Sequence, residues 1–199
     1  MSGQASGPRR STGSVVVGVM RLARGRADGF GQFGATRESF LASLAPLIAF
    51  PLVGGVLMLL DGGGIDAVSN LLATVCALVA PPVLSFEIAR LWHRDAAWLR
   101  FATAFNWCQW AIPVLGSLLL VVLGVLVTVG MPRAAARGLA LTGLLGYGLW
   151  LHWFLARHGL GLPTIRALVL VLGVNFATVA IVVAPRLLLM AAGDPAFGG

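Results

Sequence analysis

Long apolar stretches separated by short polar segments dominate the pattern of this chain. They lie at residues 41–60, 67–88, 105–130, 138–156 and 165–184, and each is close to the roughly 20 residues that a helix needs to cross a bilayer. Among open segments, only helices satisfy all their own backbone polar groups in lipid. The pattern therefore predicts an all-α fold, a polytopic bundle of five transmembrane helices over residues 39–190.

The segments on either side of this block are polar. Residues 1–38 are rich in Gly, Ser and Arg and predict a basic, largely disordered cytoplasmic tail. Within it, residues 15–24 could form a short helix on the membrane surface, and an unstructured tail is the alternative. Residues 191–199 predict a short C-terminal tail. Thr36 is expected to cap the first membrane helix, with Glu38 well placed in its first turn.

Composition supports the membrane interpretation. The 199 residues are 58% hydrophobic and only 11% charged, with a mean hydropathy of +0.92, whereas soluble domains carry roughly 25% charge. All 14 basic residues are Arg, and the net charge is +7. The Arg residues interrupt the apolar runs instead of clustering along one polar segment. This favours anionic lipid headgroups as partners and argues against nucleic acid.

Arg and Trp together predict the orientation. With the N-terminus inside, the cytoplasmic segments hold eleven Arg, against Arg133, Arg137 and Arg186 on the other side, in agreement with the positive-inside rule. The six Trp rings, which favour the headgroup level, then fall at or near the cytoplasmic interface: Trp92, Trp98, Trp107, Trp110, Trp150 and Trp153. The sequence predicts a cytoplasmic N-terminus and an outside C-terminus in the cell inner membrane, with a basic hairpin within Pro81–Trp110.

Few strongly polar side chains lie near the apolar runs. Six of them form the candidate polar cluster: Glu87, Arg90, Asn106, Gln109, His152 and Asn175. Glu87 and Arg90 have the i,i+3 spacing of a helical ion pair. Because successive helices are antiparallel, Asn106, Gln109 and His152 are expected near the depth of Glu87, with Asn175 near the middle of the fifth span. These groups could line a polar pocket, but interhelical hydrogen bonding is the favoured interpretation.

The sequence offers little support for catalysis. The stretch Asp61–Asp66 lacks the Lys-Ser/Thr that ends a P-loop. His93 and His158 have no carboxylate at metal-ligand spacing. Cys76 and Cys108 are expected at different depths, too far apart for a disulfide. The sequence thus favours a protein that is not an enzyme and that binds no cofactor.

Several short motifs carry a family resemblance. They are Phe33-Gly-Ala-Thr-Arg-Glu-Ser-Phe40, the Pro81-Pro82 helix end, Phe105-Asn106-Trp107, and the aromatic segment Tyr147 to Trp153 followed by Arg157 and Gly159. Most of the chain after about residue 14 resembles the Yip family of five-span membrane proteins, in particular its small bacterial members. The resemblance implies five helices and a cytoplasmic N-terminus. Eukaryotic relatives are non-enzymatic factors in membrane traffic, and the chain lacks their Asp-Leu-Tyr-Gly-Pro signature.

Two classes of function agree with these features. The preferred one is a non-catalytic inner-membrane protein that acts as a scaffold or interaction partner in membrane organisation, with a membrane-protein partner or as a homo-oligomer. The alternative is a small oligomeric transporter or channel that uses polar residues near the cytoplasmic ends of helices 2–4. Transport sites usually lie near the midplane on broken helices. Pro46, Pro51 and Pro113 offer such breaks, but the polar groups cluster toward one face.

Overall fold

The computed structural model of the protein describes residues 12–62 and 64–191. This part of the chain is all-helical, with seven α-helices and one 3₁₀ helix. They are α1 (Thr12–Ala23), the 3₁₀ helix (Ala27–Gln32), α2 (Arg37–Leu60), α3 (Gly64–Leu91), α4 (Asp95–Cys108), α5 (Ala111–Thr128), α6 (Arg133–Gly159) and α7 (Thr164–Ala191). Residues 1–11 of the predicted N-terminal tail and 192–199 of the C-terminal tail lie outside the described residues.

Five helical segments are long and apolar enough to cross a membrane. They are Arg37–Leu60, Ala67–Leu91, Asp95–Thr128, Arg133–Gly159 and Thr164–Ala184, and the third comprises both α4 and α5. They follow the order of the predicted spans and confirm the all-α, five-span fold class. The first begins as predicted, because the hydroxyl of Thr36 accepts a hydrogen bond from the Ser39 amide at 3.2 Å.

The helices pack in an order that differs from their order in the chain. Neighbouring contacts run from α2 to α3, from α3 to α7, from α7 to α6 and from α6 to α5. Helix α4 contacts α1, α2, α3 and α6 as well as α5, which makes it the element around which the others are arranged. Seven of its 14 residues are buried. This placement brings the segment after the second span into the protein core.

Helices α4 and α5 are separated by a turn at Gln109 and Trp110. Pro113 causes the break, because it has no amide hydrogen to donate to the carbonyl group four residues earlier, that of Gln109. The predicted basic hairpin, which joins the spans ending at residue 88 and beginning at residue 105, is shorter in the structure. Its turn is confined to residues 92–94, where His93 has a φ of 55°, and the chain then continues as α4.

Helices α4 and α5 both run antiparallel to α6 at close range. A Cβ atom added to Gly159 would lie 3.0 Å from the Phe101 ring, and one added to Gly116 would lie 3.3 Å from Leu144. Helix α6 has 27 residues and is thus about 40 Å long, roughly 10 Å longer than the hydrocarbon core of a bilayer. Helix α6 is therefore long enough for its last turns, together with the start of α4, to reach the headgroup level.

Residues 15–33 differ from the predicted disordered tail and also from a helix lying alone on the surface. Helix α1 and the 3₁₀ helix pack into the bundle, with Leu22 fully buried and Phe33 only 4% exposed. A Cβ atom added to Gly29 would lie 2.8 Å from the carbonyl oxygen of Gly18, so glycine permits this contact. The Tyr147 hydroxyl donates to the carbonyl oxygen of Ala23 at 2.9 Å and fastens α1 to α6.

Packing is dense at one end of the bundle and sparse at the other. The main core cluster lies at the end that carries the Trp residues, which we call the tryptophan end. The other buried cluster consists of Leu123, Ala136 and Ala140, between α5 and α6. We call the packed unit at the tryptophan end the cap. It comprises residues 12–33, which contain α1 and the 3₁₀ helix, residues 94–108, which contain α4, and residues 151–160. Apolar side chains such as Leu60 and Val129 are exposed on the surface of the bundle. Lipid, which surrounds this surface, is itself apolar.

Candidate functional site

The polar side chains at the tryptophan end are used in contacts between helices. Asn106 on α4 is 3% exposed, and its Nδ2 donates to Oγ of Ser43 on α2 at 3.0 Å. The Ser43 hydroxyl in turn donates to the carbonyl oxygen of Phe40 at 2.6 Å. Both groups are buried, and a buried polar group without a partner would be costly. Asn106 therefore joins α4 to α2.

Trp98 makes the corresponding contact between α4 and α3. Its Nε1 donates to Oγ of Ser85 at 3.1 Å, and the ring lies 5.1 Å from Phe40 and 4.9 Å from Phe86 between centroids. Trp98 is 9% exposed and belongs to the main core cluster. The sequence predicted an interface anchor at this position. In the structure α4 turns this ring inward, where it packs against α2 and α3.

His152 and Asn175 line a small cavity. It has a volume of about 20 Å³, with Pro81, Ser85 and Phe105 also in its wall. A cavity of this size admits a water molecule and no larger ligand. The Nδ2 of Asn175 donates to the Val171 carbonyl within its own helix at 2.7 Å.

Gln109 approaches the same histidine without lining this cavity. Its Oε1 lies 3.4 Å from Nε2 of His152, at the long end of hydrogen bonding. The six predicted polar residues therefore form separate groups in the described structure and not one pocket.

Glu87 and Arg90 form the predicted ion pair on α3. Their Oε2 and Nη2 atoms are 2.8 Å apart, and the side chains are 48% and 65% exposed, respectively. Pairs this exposed contribute little to stability because water screens them.

We expect Glu87→Gln to lower the free energy of unfolding by about 1 kcal/mol or less. The variant keeps the shape of the side chain and removes only its charge. Denaturant titration of the purified protein in detergent measures the difference. A loss of several kcal/mol would mean that Glu87 has a role beyond this surface pair.

The other Trp residues lie nearer to the surface of the same end. Arg166 lies over the Trp92 ring at 5.9 Å, and Arg157 over the Trp153 ring at 5.3 Å. Trp150 is 38% exposed. Cation–π contacts with Arg suit rings at the headgroup level.

The remaining two rings are partly buried. Trp107 packs against the main core cluster. The Trp110 ring packs edge-on against Phe50 at 5.3 Å, and its buried Nε1 has no hydrogen-bond partner among the described residues.

Fold and geometry together define the class: an all-helical, multi-pass membrane protein whose helices meet in a packed cap at the tryptophan end. The chain matches no protein-family model, no curated protein and no solved structure. The resemblance to the Yip family accordingly stays a prediction.

Three residues that connect the helices, Ser43, Ser85 and Tyr147, are not among the residues that the sequence predicted for the site. Ser43 is the only polar residue within the apolar run 41–60, and that isolation is the signal that could have identified it as an interhelical partner. Ser85 shares its run with Asn70 and Glu87 and carries no such signal. Tyr147 is the chain's single Tyr, and it bonds α1. Its partner is a backbone carbonyl 124 positions away, which no local pattern indicates.

Proposed function

We propose that the protein is a non-catalytic scaffold of the bacterial inner membrane, and that the cap is the surface to which a membrane-protein partner binds. The observation that carries this proposal is the charge on the cap. Arg24, Arg94 and Arg100 are exposed there, and none of them forms an ion pair with another described residue. An exposed surface with unpaired guanidinium groups fits an acidic segment of a partner. A cytoplasmic N-terminus and membership of the Yip family are parts of the same proposal.

The internal hydrogen bonds support a structural role for the buried polar residues. Asn106 and Trp98 each donate to a Ser on a neighbouring helix. Asn175 and Ser85 donate to carbonyl groups of their own helices. The bonds of Asn106 and Trp98 join α4 to α2 and to α3, and we assign partner binding to the charged outer face of the cap.

Site-specific photocrosslinking in intact cells tests the proposal. A photoreactive residue replaces Arg100 in one variant and Val121, 67% exposed on α5, in the other. We expect discrete protein adducts at position 100 and lipid adducts at position 121. Replacing Arg24 and Arg94 with Glu should reduce the adducts at position 100, because the attraction to an acidic segment is lost. Lipid adducts alone at position 100, or adducts indifferent to charge, would contradict the proposal.

The alternative is transport, and the cavity beside His152 and Asn175 is the observation that favours it. Its volume of about 20 Å³ would have to increase for anything larger than water to pass. Flux of small ions into proteoliposomes, compared between the wild type and the variants His152→Leu and Asn175→Leu, separates the two functions. A flux that both substitutions abolish would favour transport over the scaffold.

A further inference from the structure

A groove lies between α5 and α6 in the half of the bundle away from the tryptophan end. It is a shallow groove, largely open to the surroundings, with a volume of about 530 Å³. Its apolar lining includes Leu120, Leu123, Gly124, Ala136, Ala140 and Leu144. Ala136 and Ala140 are 7% and 8% exposed, and their small side chains form its floor.

The groove has the length and position of a lipid tail site. On α6 it runs from Arg133 to Leu144, about 16 Å along the helix, and on α5 from Leu120 to Val127, about 10 Å. One leaflet of hydrocarbon is about 15 Å thick, half of the bilayer core. Helix α5 contacts α6, α4 and α1, and the last two lie at the tryptophan end. Among the described residues, only α6 therefore packs against the part of α5 that lines the groove, and the groove faces lipid.

Two cationic side chains stand at the mouth of the groove. Arg133 and Arg137 are exposed, line it, and are one helical turn apart on α6. Neither forms an ion pair with another described residue. They lie at the beginning of α6, where the helix enters the membrane, and so at headgroup level. Guanidinium groups bind phosphate oxygens through charge-assisted hydrogen bonds.

We propose that this groove binds one anionic phospholipid, with an acyl chain against Leu123 and Ala140 and the phosphate at Arg133 and Arg137. Charge complementarity favours this occupant over a second copy of the chain. In a symmetric dimer the same patch would face itself and place the four guanidinium groups together. The site is separate from the cap, which lies at the opposite end of the bundle.

The test uses the full chain, delipidated in neutral detergent and titrated with phosphatidylglycerol or phosphatidylcholine, with bound lipid counted by native mass spectrometry. The wild type should bind phosphatidylglycerol roughly thirtyfold more tightly than phosphatidylcholine, because each Arg near an anionic group contributes about a factor of five. The double variant R133Q/R137Q should bind both lipids equally. The matched control R24Q/R100Q removes two charges from the cap and should keep the preference.

A pair of glycine variants tests the apolar part of the site. Gly124 lines the groove and Gly146 does not, and a Cβ atom added at either position meets no atom within 4 Å. Both Leu variants should therefore fold. Gly124→Leu should weaken binding of both lipids roughly tenfold, because the new side chain occupies the groove, and Gly146→Leu should change neither. The proposal is overturned by an unchanged preference in R133Q/R137Q, by wild-type binding in Gly124→Leu, or by a dimer that Gly124→Leu dissociates.

Discussion

Replacing Phe30 with Ala should lower the free energy of unfolding by about 3 to 5 kcal/mol. Phe30 is 9% exposed, and its ring packs where the 3₁₀ helix meets α6: a Cβ atom added to Gly159 would lie 2.9 Å from it. The cap extends to the headgroup level or beyond, so water competes for this surface and the hydrophobic effect applies to its core. The substitution removes the ring and leaves a cavity between the 3₁₀ helix and α6.

The control for this experiment is Phe176→Ala. Phe176 lies on α7 and is 72% exposed to lipid, so its loss should change stability by less than about 0.5 kcal/mol. Titration with denaturing detergent gives both free energies. Limited trypsin digestion gives a second measurement, because a loosened cap should be cleaved faster after Arg24 and Arg26. Equal stability and equal cleavage in the two variants would mean that α1 and the 3₁₀ helix are a loosely attached tail.

The sequence predicted the membrane part of the fold because that part depends on local properties. A bilayer requires about 20 apolar residues in a helix, and each of the five segments meets this requirement without reference to any other part of the chain. The Thr36 cap and the Glu87–Arg90 pair are also local, since each depends on residues within a turn of helix. All three predictions are confirmed.

The sequence did not predict the cap, because the cap is stabilised by contacts between residues that are far apart in the sequence. Residues 15–33 contain three Arg among scattered apolar side chains, which resembles a solvated tail when they are considered alone. Leu22 and Phe33 become core residues only because α4 and α6 supply the opposite surface. The close contact between Gly18 and Gly29 leaves no more signal than two glycines in a chain that has 26.

The burial of the tryptophan residues also depends on tertiary packing that the local sequence does not reveal. Membrane statistics place Trp at the interface, and five of the six rings keep some exposure there. Trp98 is the exception, because α4 continues as a helix from Asp95 and carries that ring between α2 and α3. The burial of Trp98 in the protein depends on the turn at residues 92–94, which directs α4 into the bundle. The hydropathy of the segment gives no information about that turn.

Replacing Leu155 with Ala should lower the free energy of unfolding by about 2 to 5 kcal/mol. Leu155 lies on α6 within the cap, is fully buried and belongs to the main core cluster. Its removal costs the contacts of a buried side chain and leaves a cavity, because the surrounding structure relaxes only partially. Leu145 lies on the same helix but is 65% exposed to lipid. Because lipid tails are as apolar as Leu, its truncation removes little favourable packing.

The comparison of Leu155→Ala with Leu145→Ala therefore separates packing within the protein core from packing against lipid on a single helix. Both substitutions replace Leu with Ala and have the same effect on helix propensity, so that term cancels in the difference. Detergent-induced unfolding, followed by circular dichroism, measures the two free energies under identical conditions. Similar losses in the two variants would place the stabilising contacts along the whole of α6 instead of in the cap. A loss confined to Leu155→Ala would mean that packing within the cap supplies most of the stability of the bundle. The rest of α6 would then depend on its apolar surroundings for its stability.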